Sequence, residues 1–217
     1  MKNVYIYCEG QTEESFINNI LYPYFFNTGI VVYPIICTTK RTVNKKYKGG
    51  VSVYAKIKKE LTIICKKHHN EYVTTMFDYY AMPDNTPGLD CMEPDIHERI
   101  NHIEQIIDAD INEQNCNFHF MLHEFEGILF SKPDSFALIA DAAVVANIQT
   151  IRDSYQTPEH INNSPETAPS KRLESLIPNY AKVINGTLLS DNMGIDIIMA
   201  QCPHFREWIQ KIVSFNT

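Results

Sequence analysis

Residues 4–16 read VYIYCEGQTEESF, an apolar run that stops at Cys8-Glu9-Gly10 and passes directly into polar residues and a pair of carboxylates. The run is short, β-branched and aromatic, and it ends at a glycine, which predicts a buried strand. A helix is predicted behind it. Thr12 is the expected cap, Glu13 and Glu14 suit the positive first turn, and Phe16, Ile17, Ile20 and Leu21 supply an apolar face up to Pro23. A strand feeding straight into a helix sets the reading of everything downstream as α/β, and it leaves Glu9 at the junction.

The same alternation recurs outward. IVVYPIIC (30–37) predicts a second strand, with Pro34 marking an edge or a bulge. Tyr54, Ile57, Leu61, Ile64 and Cys65 fall at helical spacing with lysines on the opposite face. YVTTMFDYY (72–80) predicts a third strand closing on Asp78, followed by the turn AMPDNTPG (81–88). Ile96, Ile100, Ile103, Ile107 and Ile111 predict another helix. NFHFMLHEFEGILF (117–130) predicts a fourth strand over 118 to about 122, closing on His123, Glu124 and Glu126. Each crossover has the length of a right-handed connection, so residues 1–132 read as a Rossmann-like parallel sheet of about four strands flanked by helices. Residues 133–217 read as a mostly helical extension packed on that core. It has an Ala-rich stretch at 134–146, a Pro-rich loop at 157–170, a helix capped by Ser170, and a closing helix carrying Phe205, Trp208, Ile209 and Ile212.

Composition narrows the class. The length of 217 residues suffices to bury roughly 70% of the unfolded surface, and 44% hydrophobic with 21% charged residues is ordinary globular usage. The N-terminal apolar run is too short, and too soon broken by Glu9, Glu13 and Glu14, for a signal peptide or a membrane span, so no membrane partner and a cytoplasmic location are expected. Six cysteines without a C-x-x-C pair fit reduced core thiols. The net charge of −7 hides an asymmetry. The window 40–67 holds ten basic residues against Glu60 alone, among them Lys40, Arg41, Lys45, Lys46 and Lys48, on an otherwise strongly acidic body. Such a stripe is either a solvated helix face with a basic loop or a phosphate-binding ramp.

Ligands of open parallel sheets sit beyond the carboxyl ends of the strands. Three of the four predicted strands end on acids there: Glu9, Asp78, and the Glu124/Glu126 pair beside His123. Taken singly, each has a plain structural reading: Glu9 as a strand-end residue capping a backbone amide, Glu13 as a first-turn acid, Asp78 as a turn initiator, His123 and Glu124 as a hydrogen-bonded pair. Gathered at one edge they repel one another, and the ordinary remedy is a hard divalent cation, Mg²⁺ or Mn²⁺, on oxygen ligands. Other chemistries lack their motifs. The chain has no G-x-G-x-x-G, P-loop or G-x-S-x-G, and HEFEG puts Gly127 where a zincin has its second histidine.

The stretch CEGQTEESF resembles the E-G-x-T-E signature of Toprim domains, the metal-dependent fold of topoisomerases, primases and OLD-type nucleases. FDYYAMPDNTPG, HEFEGILFS and Pro169-Ser170-Lys171-Arg172-Leu173 resemble, in order, a Toprim-like branch often encoded beside an ATPase in anti-phage settings. The resemblance spans residues 4 to 186. It implies that Glu9 is the Toprim glutamate, Glu13 the second glutamate of the nuclease branches, and Asp78 the first aspartate of D-x-D, whose second position is Tyr80 here. The expected function is therefore a Mg²⁺-dependent phosphodiesterase acting on DNA or RNA in anti-phage defence. Its metal ligands are Glu9, Asp78 and one of Glu124 or Glu126. Glu13 is a supporting carboxylate and His123 an acid/base or orienting group. Lys40, Arg41, Lys45, Lys46, Lys48 and Arg172 are the expected nucleic-acid contacts, with Lys171 or Arg172 stabilising transition-state charge. Two alternatives stay open: a catalytically weak subunit of a partner ATPase, and a small-molecule phosphatase. A homo-oligomer is compatible with each.

Overall fold

A computed structural model describes residues 1–37, 53–161 and 167–215. The expected contacts Lys40, Arg41, Lys45, Lys46 and Lys48 lie outside the described residues.

The parallel sheet is present. Strand β1 (Lys2–Cys8) lies between β2 (Ile30–Ile36) and β3 (Tyr72–Asp78), and β3 pairs beyond with β4 (Cys116–Asn117) and β5 (Phe120–Met121), every pairing parallel. The spatial order β2-β1-β3-β4 reverses between β1 and β3, which places the topological switch point, and the crevice that goes with it, at the carboxyl ends of those two strands. Pro34 sits in β2, which pairs with β1 alone among the described strands, so its missing N–H costs no ladder bond on the open side. The fourth strand comes as two short pieces. At the break, the Thr75 hydroxyl donates to the His119 carbonyl and accepts from the His119 amide, both at 2.8 Å, so a side chain substitutes for the ladder.

Pleating sends alternate residues of each strand to opposite faces. Val4, Ile6, Cys8, Ile30, Val32, Tyr72 and Met76 face the larger core, covered by α1 (Gln11–Phe16) and α2 (Tyr22–Phe26) and by the C-terminal helices. Tyr7, Val73 and Phe77 face the other core with α3 (Val53–Lys67) and α4 (Ile96–Ile111). The C-terminal half contains α5 (Ala142–Asp153), α6 (Pro169–Leu176), α7 (Lys182–Met193), α8 (Ile195–Gln201) and α9 (Pro203–Ser214). Phe205, Trp208 and Ile212 of α9 share one core with Val4 and Ile6, and Trp208 Nε1 donates to Thr74 Oγ1 of β3 at 2.9 Å.

Local details differ from the sequence reading for identifiable reasons. The first helix does not stop at Pro23. A π-helical turn, Ile17–Leu21, absorbs the proline's missing N–H and ring bulk, and the chain stays helical to Phe26. Thr12 is not the cap, because Gly10 takes that position and Glu13 Oε2 accepts the Gly10 amide at 2.8 Å. Ser170 is likewise inside its helix, following Ala168 and Pro169, and its own amide needs an acceptor. The Ala-rich stretch splits into a 3₁₀ segment, Pro133–Leu138, and α5. No helix among the described residues is long and apolar enough to cross a membrane.

Candidate metal centre at the sheet edge

The switch point carries a cleft of about 310 Å³ lined by Glu9, Gly10, Gln11, Thr12, Glu13, Asp78, Ala81, Glu124, Glu126 and Lys182. Strand β1 delivers Glu9, the helix start behind it delivers Glu13, and β3 delivers Asp78. Glu124 and Glu126 need a sharper device. After β5 the chain makes a γ-turn at His123, with φ +64° and the Glu124 amide donating to the Leu122 carbonyl at 2.9 Å. A non-glycine residue in that region costs of order 1–3 kcal/mol. The His123 carbonyl accepts the Tyr80 amide at 3.1 Å, which ties this turn to the segment after β3.

Backbone amides hold carboxylates of the cleft in place. Asp78 Oδ1 accepts from Phe125 N at 2.9 Å, Glu124 Oε2 from Ser170 N at 2.9 Å, and Glu13 Oε2 from Gly10 N. Glu13 therefore fulfils its helix-start role and lines the cleft as well. Glu9, Glu13 and Glu126 are 9%, 6% and 2% exposed, so the acids meet at low dielectric. Burial raises the Glu13 carboxyl, and it raises the Asp78 carboxyl well above the usual range with the help of the Glu13, Glu126 and Glu124 charges. Glu126 is also raised by burial, against the pull of Lys182 Nζ at 3.2 Å from its Oε1. Burial works against the Lys182 charge, but Glu126, Glu124 and Asp78 outweigh it and raise the ammonium. Five carboxylates around one lysine leave excess negative charge, and an all-oxygen donor set fits a hard cation such as Mg²⁺ or Mn²⁺.

The remaining sequence-derived residues lie elsewhere. His123 does not line the cleft. It is buried, its Nδ1 has no hydrogen-bond partner among the described residues, and burial with nearby His160, His97 and Arg99 brings its imidazole down to about 4. Its contribution to the cleft in this structure is the turn that leads into Glu124 and Glu126. Lys171 is exposed and pairs with Glu174 at 2.6 Å. Arg172 donates to the Thr167 carbonyl at 2.7 Å and to the Tyr155 hydroxyl at 2.9 Å, with its guanidinium over the Tyr155 ring. Neither lines the cleft, whereas Lys182 does. The one local signal for Lys182 was its place at the first residue of α7, where a cation opposes the helix dipole and needs an external partner.

A second ionisable cluster lies buried between α4, β5 and α9. Glu104 Oε1 accepts from the Phe120 amide at 2.8 Å and lies 2.9 Å from His204 Nε2 and 3.5 Å from His119 Nδ1. The His119 ring is stacked between those of His204 and Trp208. Donor atoms of the three residues fall within 4.8 Å of one another, a spacing that a metal can use. Histidine ligands, however, normally donate their outer N–H to an acceptor, and His119 Nε2 and His204 Nδ1 have none among the described residues. The cluster reads better as an ion pair: Glu104 raises the His204 imidazole despite its burial.

Fold and cleft together define a parallel α/β domain with an acidic centre at its switch point. The chain belongs to the family described as a domain of unknown function (DUF4276), whose model matches residues 8–213 and so takes in every residue lining the cleft. No curated protein and no solved structure matches it.

Proposed function

We propose that the chain is a divalent-metal-dependent phosphodiesterase acting on nucleic acid. The observation that carries this reading is the convergence of Glu9, Glu13, Asp78, Glu124 and Glu126 on one cleft at the strand ends. Glu9, Asp78 and Glu124 or Glu126 are the residues that would hold Mg²⁺ or Mn²⁺. When bound, the ion supplies charge stabilisation at a phosphoryl oxygen and a bound water of lowered pKa. The protein's own part is preorganisation: the Phe125 and Ser170 amides fix Asp78 and Glu124, and the Gly10 amide fixes Glu13 at the helix start. Lys182 opposes the effect of burial on Glu126 and presents a positive charge to a bound phosphate. The anti-phage setting rests on the motif resemblance alone.

The deciding experiment is cleavage of DNA and RNA, single- and double-stranded, with Mg²⁺ or Mn²⁺, comparing wild type with Glu9→Gln and Asp78→Asn. A loss of about 100-fold or more in both variants is expected, and equal activity in all three proteins would overturn the assignment. One observation favours a second reading, a weakly catalytic subunit of a partner ATPase. Tyr80 stands two residues after Asp78, and the carboxylates of Glu13, Asp78 and Glu124 are already engaged with backbone amides. That reading expects no Mn²⁺ binding at the cleft and a stable complex with the ATPase.

A further inference from the structure

Beside the acidic cleft, across a single turn of chain, lies a second pocket of about 440 Å³ lined by Tyr79, Tyr80, Met82, Asp84, Leu89 and Asp90. The turn is the 3₁₀ segment Tyr79–Ala81, which begins right behind Asp78. Side chains three apart eclipse on such a turn. Asp78 and Ala81 accordingly line the cleft, while Tyr79 and Met82 line the neighbouring pocket. Its floor is fixed. The Tyr79 ring packs edge-on against Phe120 of β5 at 5.8 Å, and the Tyr80 amide is held by the His123 carbonyl. The far wall is pinned where Gly88, at φ +83°, lies so close to α4 that a Cβ would come within 2.9 Å of Ile106. Tyr80 itself is 40% exposed and is part of the lining of this pocket.

We infer that this pocket receives a nucleobase of a single-stranded nucleic acid, stacked on Tyr80, while the adjoining phosphate enters the acidic cleft. The inference rests on the phosphodiesterase reading for the phosphate and on the pocket itself for the base. Its volume is that of a small-molecule site, and its lining combines aromatic and apolar surface with a few polar groups. Asp84 and Asp90 repel a phosphate but accept hydrogen bonds from the exocyclic amino groups of adenine, cytosine and guanine, so the base and not the backbone is the part that fits. A base inside a duplex cannot offer its face to a tyrosine, whereas stacking on aromatics is how single strands are held. Tyr80, which replaces the second acid of the D-x-D pattern, thus positions substrate instead of binding metal.

The test is a fluorescence titration of wild type, Tyr80→Phe and Tyr80→Ala against a short single-stranded DNA carrying 2-aminopurine, in Ca²⁺ and separately in EDTA. Wild type and Tyr80→Phe are expected to quench the probe and to bind within about twofold of each other. Tyr80→Ala is expected to bind about tenfold or more weakly. The same probe in a duplex, already dimmed by stacking on its neighbours, is expected to show no further quenching on adding protein. The inference is overturned if Tyr80→Ala binds within twofold of wild type, or if the duplex is quenched equally. It is also overturned if free 2-aminopurine nucleotide binds as tightly as the strand, which would make the occupant a mononucleotide. Should Tyr80→Ala fail to fold by circular dichroism, Tyr80→Leu, which keeps apolar bulk without an aromatic face, takes its place. Tyr80-dependent quenching in a protein that cleaves nothing would sink the phosphodiesterase reading and leave this one standing. Metal-dependent cleavage with Tyr80-independent binding would do the reverse.

Discussion

Two regions of this molecule gather ionisable side chains, and they differ in balance and access. At the strand ends, five carboxylates face one lysine around a cleft that opens to solvent. Between α4 and α9, Glu104 meets His119 and His204 in a closed core, and nearby Glu159 accepts the amides of His204 and Phe205 at 3.1 and 2.9 Å, capping α9. In the core Glu104 and Glu159 are spent on backbone donors and histidine, so the cluster holds the C-terminal helix to the sheet. In the cleft the charges are unmatched, so the folded chain carries electrostatic cost that a cation would remove. Clustering of acids and histidines is therefore no guide to function by itself.

The sharpest way to break this contrast is at His204. His204→Ala leaves Glu104 buried without its partner and is expected to cost about 3–5 kcal/mol in denaturant unfolding, while Mn²⁺ binding by the protein that remains folded is unchanged. Loss of metal binding with little loss of stability would reverse the assignments of the two regions. At the cleft the opposite pattern is expected. Asp78→Asn removes one of several crowded charges, so in EDTA it should unfold at an equal or higher temperature than wild type while losing metal-dependent cleavage by about 100-fold.

Metal removal gives the next effect in size. Saturating Mn²⁺ at about 100 times its dissociation constant should stabilise wild type by about 2.7 kcal/mol and Asp78→Asn by clearly less, as read by thermal unfolding with and without chelator. The pH dependence separates the regions further. The folded-state pKa of His204 is raised, so the folded chain binds this proton more tightly than the unfolded chain does. Its contribution is fully present below the unfolded value near 6.5 and is lost as pH rises through the folded value. Stability in EDTA should fall over that window in wild type and fall less in His204→Ala. The smallest effect is expected at Lys171, which is exposed and pairs with Glu174 along its own helix. Lys171→Ala should change stability by no more than about 0.5 kcal/mol and leave cleavage intact, whereas Lys182→Ala should lower cleavage.

Much of the cleft was legible because a parallel sheet fixes where strand ends go. Once strands were recognised in the apolar runs ending at Cys8 and Asp78, Glu9 and Asp78 had to share an edge, and Glu124 and Glu126 followed from the next strand. The role of His123 was not legible, since a γ-turn at a non-glycine residue has no compositional mark. Nor was Arg172, whose guanidinium is consumed by Tyr155 and Thr167 across the Pro-rich connection.

By itself the sequence determined the alternation of strands and helices and the acids at the strand ends, because each depends on local periodicity or on a rule of chain topology. Tertiary structure alone decided that Lys182 completes the cleft, that Glu104 meets His119 and His204, and that Tyr80 opens into a separate pocket. These depend on how the C-terminal helices dock and on how the chain turns after Asp78. Such contacts join residues far apart in the chain, and no local pattern encodes them.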